Sequence, residues 1–491
     1  MIKIRTIITQ DAEVDDQNSL RHFLFYANEV ELQGIVQTSS KFHWKGIPGA
    51  VKPEKKDDPH AFPGEESGPF DRPYRWTGTD WMFRVIDDYE KDYSNLIHHA
   101  DGYPTADYLR SITKIGNIGY EGEMEGPTEG SELIRKHILD EDPRPLYLQV
   151  WGGTNTIAQA LKDIQVEYES NPGWAELHER IQQKVIITAC GEQDGTYRSY
   201  IAEQWPKIMF VKTLQMCSYA YPWFVMPECA SKDTLKAEFM KREILNGKSA
   251  LASGYCTWQD GKYYEGEPEE GQFGANPEVV DTWFGAKMGM PRANQFDFLS
   301  EGDSPTFFLL FSRWGLRTLE NFAWGGVSGR YYQVSDQFNS KGEALNCWDV
   351  RKDSFTGRDG KTVEVESMWP YVEEIQKDFA ARIAWAAADT YERGEHAPEL
   401  TISGGCDINV KAGEQLSLQA EASSPDGNEV KVSFRIYPEL SMQGASVTEE
   451  GTVTIPENAR PGDQVHVIVK ATEKGYFGLS RYAQVVLRVE M

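Results

Sequence analysis

Several things are scarce in this sequence. It has 6 cysteines in 491 residues, at 190, 217, 229, 256, 347 and 406, and the closest two stand 12 positions apart. That spacing excludes a CxxC redox pair, a zinc knuckle and a disulfide scaffold, so buried free thiols are expected. Positive charge is scarce too. Lys and Arg number 50 against 76 Asp and Glu, a net charge of −26. Such a surface repels polyanions, so neither nucleic acid nor an anionic membrane is an expected partner. No run of about 18 apolar residues occurs, so no helix is expected to cross a bilayer. The phosphate-cradling patterns GxGxxG and GxxxxGK[ST] are missing, and so are internal repeats and low-complexity tracts. The N-terminus, MIKIRTIITQD, carries no apolar h-region. The chain as given is expected in the cytoplasm, or outside it if a signal has been removed.

What is present points to a folded enzyme-like body. Hydrophobic residues make up 40% and aromatics 12%, which excludes a disordered chain. The length suits one large and one small domain. Ile2–Ile8 reads as a strand, followed by a helix with Leu20, Phe23, Leu24 and Ala27 at helical spacing. Further strands are expected at Val30–Thr38, Leu146–Trp151, Val185–Ala189 and Ile208–Val211, and a helix follows Thr154 or Asn155. Strands alternating with helices predict an α/β fold with a doubly wound, mostly parallel sheet. Ligands bind such sheets outside the carboxyl ends of the strands. Three Gly/Pro/aromatic excursions, 41–74, 255–300 and 321–369, read as loops, the first as a substrate loop. A helix is expected over Tyr371–Tyr391. Beyond Pro398 short alternating runs separated by turn signals predict a small all-β, immunoglobulin-like sandwich. The domains are therefore placed at 1–395 and 396–491.

The sharpest feature is Thr9-Gln10-Asp11-Ala12-Glu13-Val14-Asp15-Asp16. Asp15 and Asp16 fall at a helix start, where acids suit the helix dipole. That does not explain Asp11 at the strand's end, facing the same crevice. Like charges crowded there repel unless a cation neutralises them. A hard divalent cation with oxygen ligands fits.

DxxxDD after a first strand resembles the aspartate motif of inosine-uridine-type nucleoside hydrolases. Those enzymes hold a Ca²⁺ that binds the ribose diol and a water nucleophile. Gly34–Thr38 (GIVQT) resembles their second strand. Trp151-Gly152-Gly153-Thr154-Asn155-Thr156-Ile157-Ala158 resembles the segment that gives a backbone carbonyl to calcium, which register puts on Asn155. Glu301-Gly302-Asp303-Ser304-Pro305 resembles the segment with the last metal aspartate, Asp303. Over nearly its full length the chain resembles one branch, the cellulose-binding, nucleoside hydrolase-like proteins with a C-terminal immunoglobulin-like domain; Phe322–Tyr331 (FAWGGVSGRY) carries part of that likeness. The departures are at the nucleobase. Gly302 stands where those enzymes have a His and Lys41 where they have an Asn; their ribose-gripping Glu-x-Asn pair has no clear match, Ala202-Glu203-Gln204-Trp205 being the nearest segment.

The resemblance implies metal ligands Asp11, Asp16, Asn155 and Asp303, a Ca²⁺ cofactor, Asp11 as the base and Asp15 as a sugar contact. Other substrate candidates are His43, one of His98 and His99, Glu192 or Asp194, and Trp44, Trp151 and Trp324, whose indoles suit sugar CH faces. The expected activity is Ca²⁺-dependent hydrolysis of a glycosidic bond to a vicinal-diol sugar, a furanoside or an oligosaccharide end. The alternative is a non-catalytic carbohydrate-binding protein that keeps the fold; a nucleosidase ranks last. The expected partner is a small-molecule or oligosaccharide ligand, and a homo-oligomer stays open.

Overall fold

The computed structural model describes residues 3–52, 68–262 and 293–490. Its first strand, β1 (Ile4–Gln10), is a β-branched run buried on both faces. That is how a central strand of a parallel sheet reads. Helix α1 (Val14–Leu24) follows, then β2 (Val30–Gln37), α2 (Trp81–His99), α3 (Ala106–Ile112), β3 (Thr113–Ile115), α4 (Glu129–Leu139) and β4 (Leu146–Val150). Next come α5 (Asn155–Tyr168), α6 (Trp174–Lys184), β5 (Val185–Ala189), β6 (Met209–Lys212), β7 (Tyr331–Val334) and β8 (Cys347–Val350). These strands form one sheet in the order β3-β2-β1-β4-β5-β6-β8-β7, parallel throughout except for the last pair.

Period-2 alternation sends neighbouring side chains to opposite faces. Ile8 joins α1, α2 and α3 in one apolar core, while Ile7 joins α4, α5 and α6 in another. The expected doubly wound, mostly parallel sheet is what the chain builds. The winding reverses between β1 and β4, which pair directly. The crevice at that reversal is where such sheets bind ligands, and the acidic motif hangs over it.

Two expectations need correction. The third excursion is not a plain loop: it supplies β7, β8 and a hairpin of β9 (Lys352–Thr356) and β10 (Thr362–Glu366). These strands have only four or five residues each, too short for their own pattern to stand out among the surrounding Gly and aromatic residues. The helix expected over Tyr371–Tyr391 runs only Val372–Trp385. Its following carbonyls are taken by α2: Asn95 Nδ2 donates to Ala386 O at 2.6 Å, and His99 Nε2 lies 2.9 Å from Ala388 O. Of the other two excursions, residues 53–67 and 263–292 lie outside the described residues. The parts described are pinned by the bridges Trp44–Tyr74 and Thr257–Phe298.

From Glu399 the regular elements are nearly all strands: β11 (Glu399–Ile402), β12 (Asp407–Val410), β13 (Gln415–Ser417), β14 (Ala420–Ser423), β15 (Val430–Ile436), β16 (Ser446–Val447), β17 (Thr452–Thr454), β18 (Gln464–Glu473) and β19 (Ser480–Val489). A sheet β12-β19-β18-β15 and a sheet β13-β17-β16 enclose a core of Val453, Val465, Val467, Val485 and Leu487. This is the strand-rich C-terminal region of a β-sandwich. Both faces of the β18–β19 ribbon are buried. The alternate residues Ile468 and Tyr482 belong to the α/β core, beside Trp314, Tyr371 and Phe379. Gly315 shows how close the two parts come. Its φ is +83°, and a Cβ there would stand 1.8 Å from the Tyr482 carbonyl oxygen.

Candidate metal and saccharide site

The site starts with a turn that β1 and α1 could not make by regular geometry. Ala12 has φ +76°, a left-handed conformation that a non-glycine residue adopts at a cost of about 1–2 kcal/mol. Two glutamines brace it. Gln10 Oε1 accepts from Ala12 N at 3.0 Å, and Gln17 Nε2 donates to Ala12 O at 3.1 Å. The turn folds Asp11 back over α1, where its N–H donates to Asp16 Oδ1 at 3.1 Å.

Asp303 arrives from nearly 300 residues away, tied to the polar face of α1. Asn18 Nδ2 donates to Ser300 O at 3.3 Å, Ser304 Oγ to Ser19 Oγ at 3.0 Å, and Glu301 Oε2 lies 2.8 Å from His22 Nδ1. Sequence reasoning missed Glu301, His22, Asn18 and Ser19. The signal was a polar set at i, i+1 and i+4, which share one face of α1. The third wall follows β4. Gly152 lies against Asp11, so a Cβ there would stand 2.7 Å from Asp11 Cβ.

The result is a knot of buried acid. Carboxylate oxygens of Asp15, Asp16 and Asp303 all lie within 4.8 Å of one another. Asp11, Asp16 and Asp303 are 1% exposed and Asp15 is 8% exposed. Neither Asp11 oxygen, nor Asp303 Oδ2, has a hydrogen-bond partner among the described residues. Burial pushes the pKa of Asp15, Asp16 and Asp303 well above the ordinary carboxylate range. Their mutual repulsion, with Asp11 and Glu13 nearby, pushes the same way. The Cys190 thiol is pushed up by burial and by Asp303, so it stays protonated. Hard, buried oxygen donors with vacant lone pairs fit a divalent cation of the calcium type, and no sulfur or imidazole belongs to the group.

The other expected site residues divide. His43 comes to the acids: fully buried, its Nδ1 lies 3.8 Å from Asp11 Oδ2, within ion-pair range but beyond a hydrogen bond. Asn155 belongs to the frame. It opens α5, just after the Thr154 carbonyl that accepts the first helix bond from Ala158 N at 2.9 Å. Its side chain is engaged by Thr38, Ser39 and the Asn117 and Glu123 carbonyls, and Asp194 Oδ2 accepts its N–H at 3.0 Å. Asp15, expected at the sugar, lies in the carboxylate group. Trp44 is no open stacking platform; its buried ring packs on Phe70 and Tyr74. Trp151 is likewise core, its Nε1 donating to Thr306 Oγ1 at 2.7 Å. Glu192 is neutralised by Arg198 at 2.6 Å and Lys212 at 2.8 Å. Glu203 binds the 340–341 loop near the surface.

His99 and Trp324 are elsewhere. His99 ends α2 and lines a small cavity with Glu29, just before β2. That is the opposite sheet edge from Asp11, which follows β1. Its ring lies 3.1 Å from His396 Nε2. Trp324 packs under the sandwich, against His466, Arg317 and Arg488. A tryptophan on a Gly-rich segment reads alike in sequence whether it meets a sugar or another domain.

This geometry can be set beside known proteins. The family described as "Cellulose-binding Sde182, nucleoside hydrolase-like domain" matches residues 5–331, well over half the chain. The chain belongs to this family. Residues 415–489 match the description "Cellulose-binding protein Sde0182, C-terminal domain". A nucleoside hydrolase-related protein from Saccharophagus degradans, described as associated with carbohydrate metabolism, superposes with TM-score 0.67 at 23% identity. The match covers 99% of this chain and 100% of that one; it carries the fold. A plant nucleoside hydrolase gives TM-score 0.32 at 10% identity over 77% of this chain and 98% of its own. No curated protein matches the chain. Among the described residues no helix is long and apolar enough to cross a membrane.

Proposed function

We propose that this chain is a carbohydrate-binding protein whose acidic crevice takes a vicinal-diol sugar end through a bound Ca²⁺. One observation carries the reading: Asp11, Asp15, Asp16 and Asp303 are buried together, and both Asp11 oxygens and Asp303 Oδ2 have no hydrogen-bond partner among the described residues. Four buried acids are untenable as a charged set without a cation. When bound, calcium supplies positive charge and a flexible oxygen shell that also accepts sugar hydroxyls. Asp15, Asp16 and Asp303 would hold it, and Asp11 lies beside them. The family's description as cellulose-binding supports a saccharide over a nucleoside. So does Gly302, where the nucleobase-handling His of the hydrolases is missing. A Cβ on Gly302 would already stand 3.3 Å from Asp15 Oδ2, so a larger side chain would press on the acids.

A second reading, hydrolysis, has one observation of its own. Asp11 has two unengaged oxygens and His43 at 3.8 Å. Asp11 would accept the proton of an attacking water, and His43 would steady the charge. The experiment is a paired assay with and without Ca²⁺. Saccharide binding is followed by calorimetry and hydrolysis by reducing-sugar release, over furanosides, nucleosides and glucan oligosaccharides. Ca²⁺-dependent binding without release supports the first reading. Release that falls at least ~10²-fold in Asp11→Asn supports the second. No Ca²⁺-dependent saccharide binding at all sinks the first.

A further inference from the structure

A second concavity lies well away from the acids, where the tip of the β18–β19 hairpin meets the α/β domain. It has a volume of 820 Å³ and is lined by Phe239, Tyr476 and Phe477 among charged residues. Tyr476 is 68% exposed, an unusual place to leave a large ring. It is not loose. Its hydroxyl donates to Glu243 Oε1 at 2.8 Å, and Glu395 accepts the Tyr476 and Phe477 N–H groups at 2.7 and 3.0 Å. Phe477 meets the ring edge-on at 5.0 Å. The ring is held in position before any ligand arrives, which removes part of the ordering cost of binding.

The charges around it are matched. Lys236 pairs with Asp233 at 2.9 Å, Arg242 with Glu243 at 2.6 Å and Lys377 with Glu373 at 2.5 Å. Glu238 shares Arg242 at 3.6 Å. Three cations against four anions leave the groove near neutral, in a chain of net charge −26. A groove for an anion would carry unpaired cations, and one for a cation unpaired carboxylates. Rigid rings for apolar faces, with paired polar groups for hydroxyls, suit an uncharged, many-hydroxyl ligand.

We infer that this groove is a second saccharide site, for the interior of a neutral pyranose chain, distinct from the acid crevice that takes an end. The inference rests on the carbohydrate-binding reading and adds a Ca²⁺-independent subsite to it. Tyr476 is the stacking residue, and Arg242 and Lys377 are the hydroxyl partners.

The test uses the full chain with cellohexaose and an oligogalacturonate of the same length, each in Ca²⁺ and in EDTA. Wild type is expected to bind cellohexaose in EDTA and the anionic oligomer at least about tenfold more weakly. Tyr476→Ala should weaken cellohexaose binding in EDTA at least about tenfold, one aromatic contact's worth. Tyr476→Phe keeps the ring and should retain most of the binding. Lys377→Ala, at a half-buried position of the 372–385 helix, is the second variant and should weaken it several-fold. The melting temperature of each variant in EDTA reports that it is folded. The groove is overturned if both alanine variants bind like wild type, if wild type binds only with Ca²⁺, or if the oligogalacturonate binds better. In those cases the crevice reading stands. If wild type binds no saccharide under either condition, both readings fall together.

Discussion

Replacing Asp303 by Asn should stabilise the metal-free protein and abolish its response to calcium. Asp303 lies within 4.8 Å of both Asp15 and Asp16 at the carboxylate oxygens. At an effective dielectric constant of about 20, each like-charge pair costs roughly 3.5 kcal/mol, so the variant relieves roughly 7. The protein can avoid that cost by taking up a proton. From the ordinary value of 3.8, protonation at pH 7 costs about 4 kcal/mol at 1.36 kcal/mol per pH unit. The smaller cost wins, so the gain from Asn is capped near 4 kcal/mol at pH 7. For 491 residues the unfolding entropy is about 1 kcal/mol/K, and the melting temperature in EDTA should rise about 4 °C. The pH sign follows. The folded pKa is raised, so the penalty exists only above the unfolded value and grows with pH. The advantage of Asn should therefore shrink to about 1–2 °C at pH 5. Calcium should act the other way: at 100 times its Kd it stabilises wild type by about 2.7 kcal/mol and the variant hardly at all. Calorimetric scans at pH 5 and 7, with EDTA or Ca²⁺, read all four values. A variant less stable than wild type in EDTA at pH 7, with its calcium gain intact, would refute the reasoning.

Gly152→Ala puts a methyl 2.7 Å from Asp11 Cβ; it should cost about 1–3 kcal/mol and weaken the calcium-induced rise in melting temperature. His466 is buried between Arg317 and Arg488, and burial first, then those charges, lower its pKa to about 4. The unfolded histidine takes a proton below about 6.5 and the folded one does not, so stability should fall by roughly 3 kcal/mol between pH 6.5 and 4. His466→Gln should flatten that limb of a urea-melt pH series. Tyr482→Ala empties a site shared by the sandwich and the α/β core. It should cost about 3–5 kcal/mol and make the 392–399 segment cleavable in limited proteolysis, where wild type resists.

The sequence by itself determined the parallel sheet, the strand-rich C-terminal region and the family. Each rests on local periodicity or contiguous motifs, which physics writes along the chain: Ile4–Gln10 reads as a strand because five of its seven residues are β-branched. It also singled out Asp11, Asp15, Asp16 and Asp303 as acids that belong together. The tertiary structure decided which groups share a point. Asp303 reaches Asp16 only because Glu301, Ser300 and Ser304 bond to α1. His43 meets Asp11 across a loop, and His99 and Trp324, equally plausible as residue types, serve packing at the far sheet edge and under the sandwich. Asn155 became frame because α5 begins there. The groove at Tyr476 has no sequence signature, since its rings and paired charges come from three separated segments. Contacts between distant segments depend on how whole elements pack, and residue types alone do not encode that arrangement.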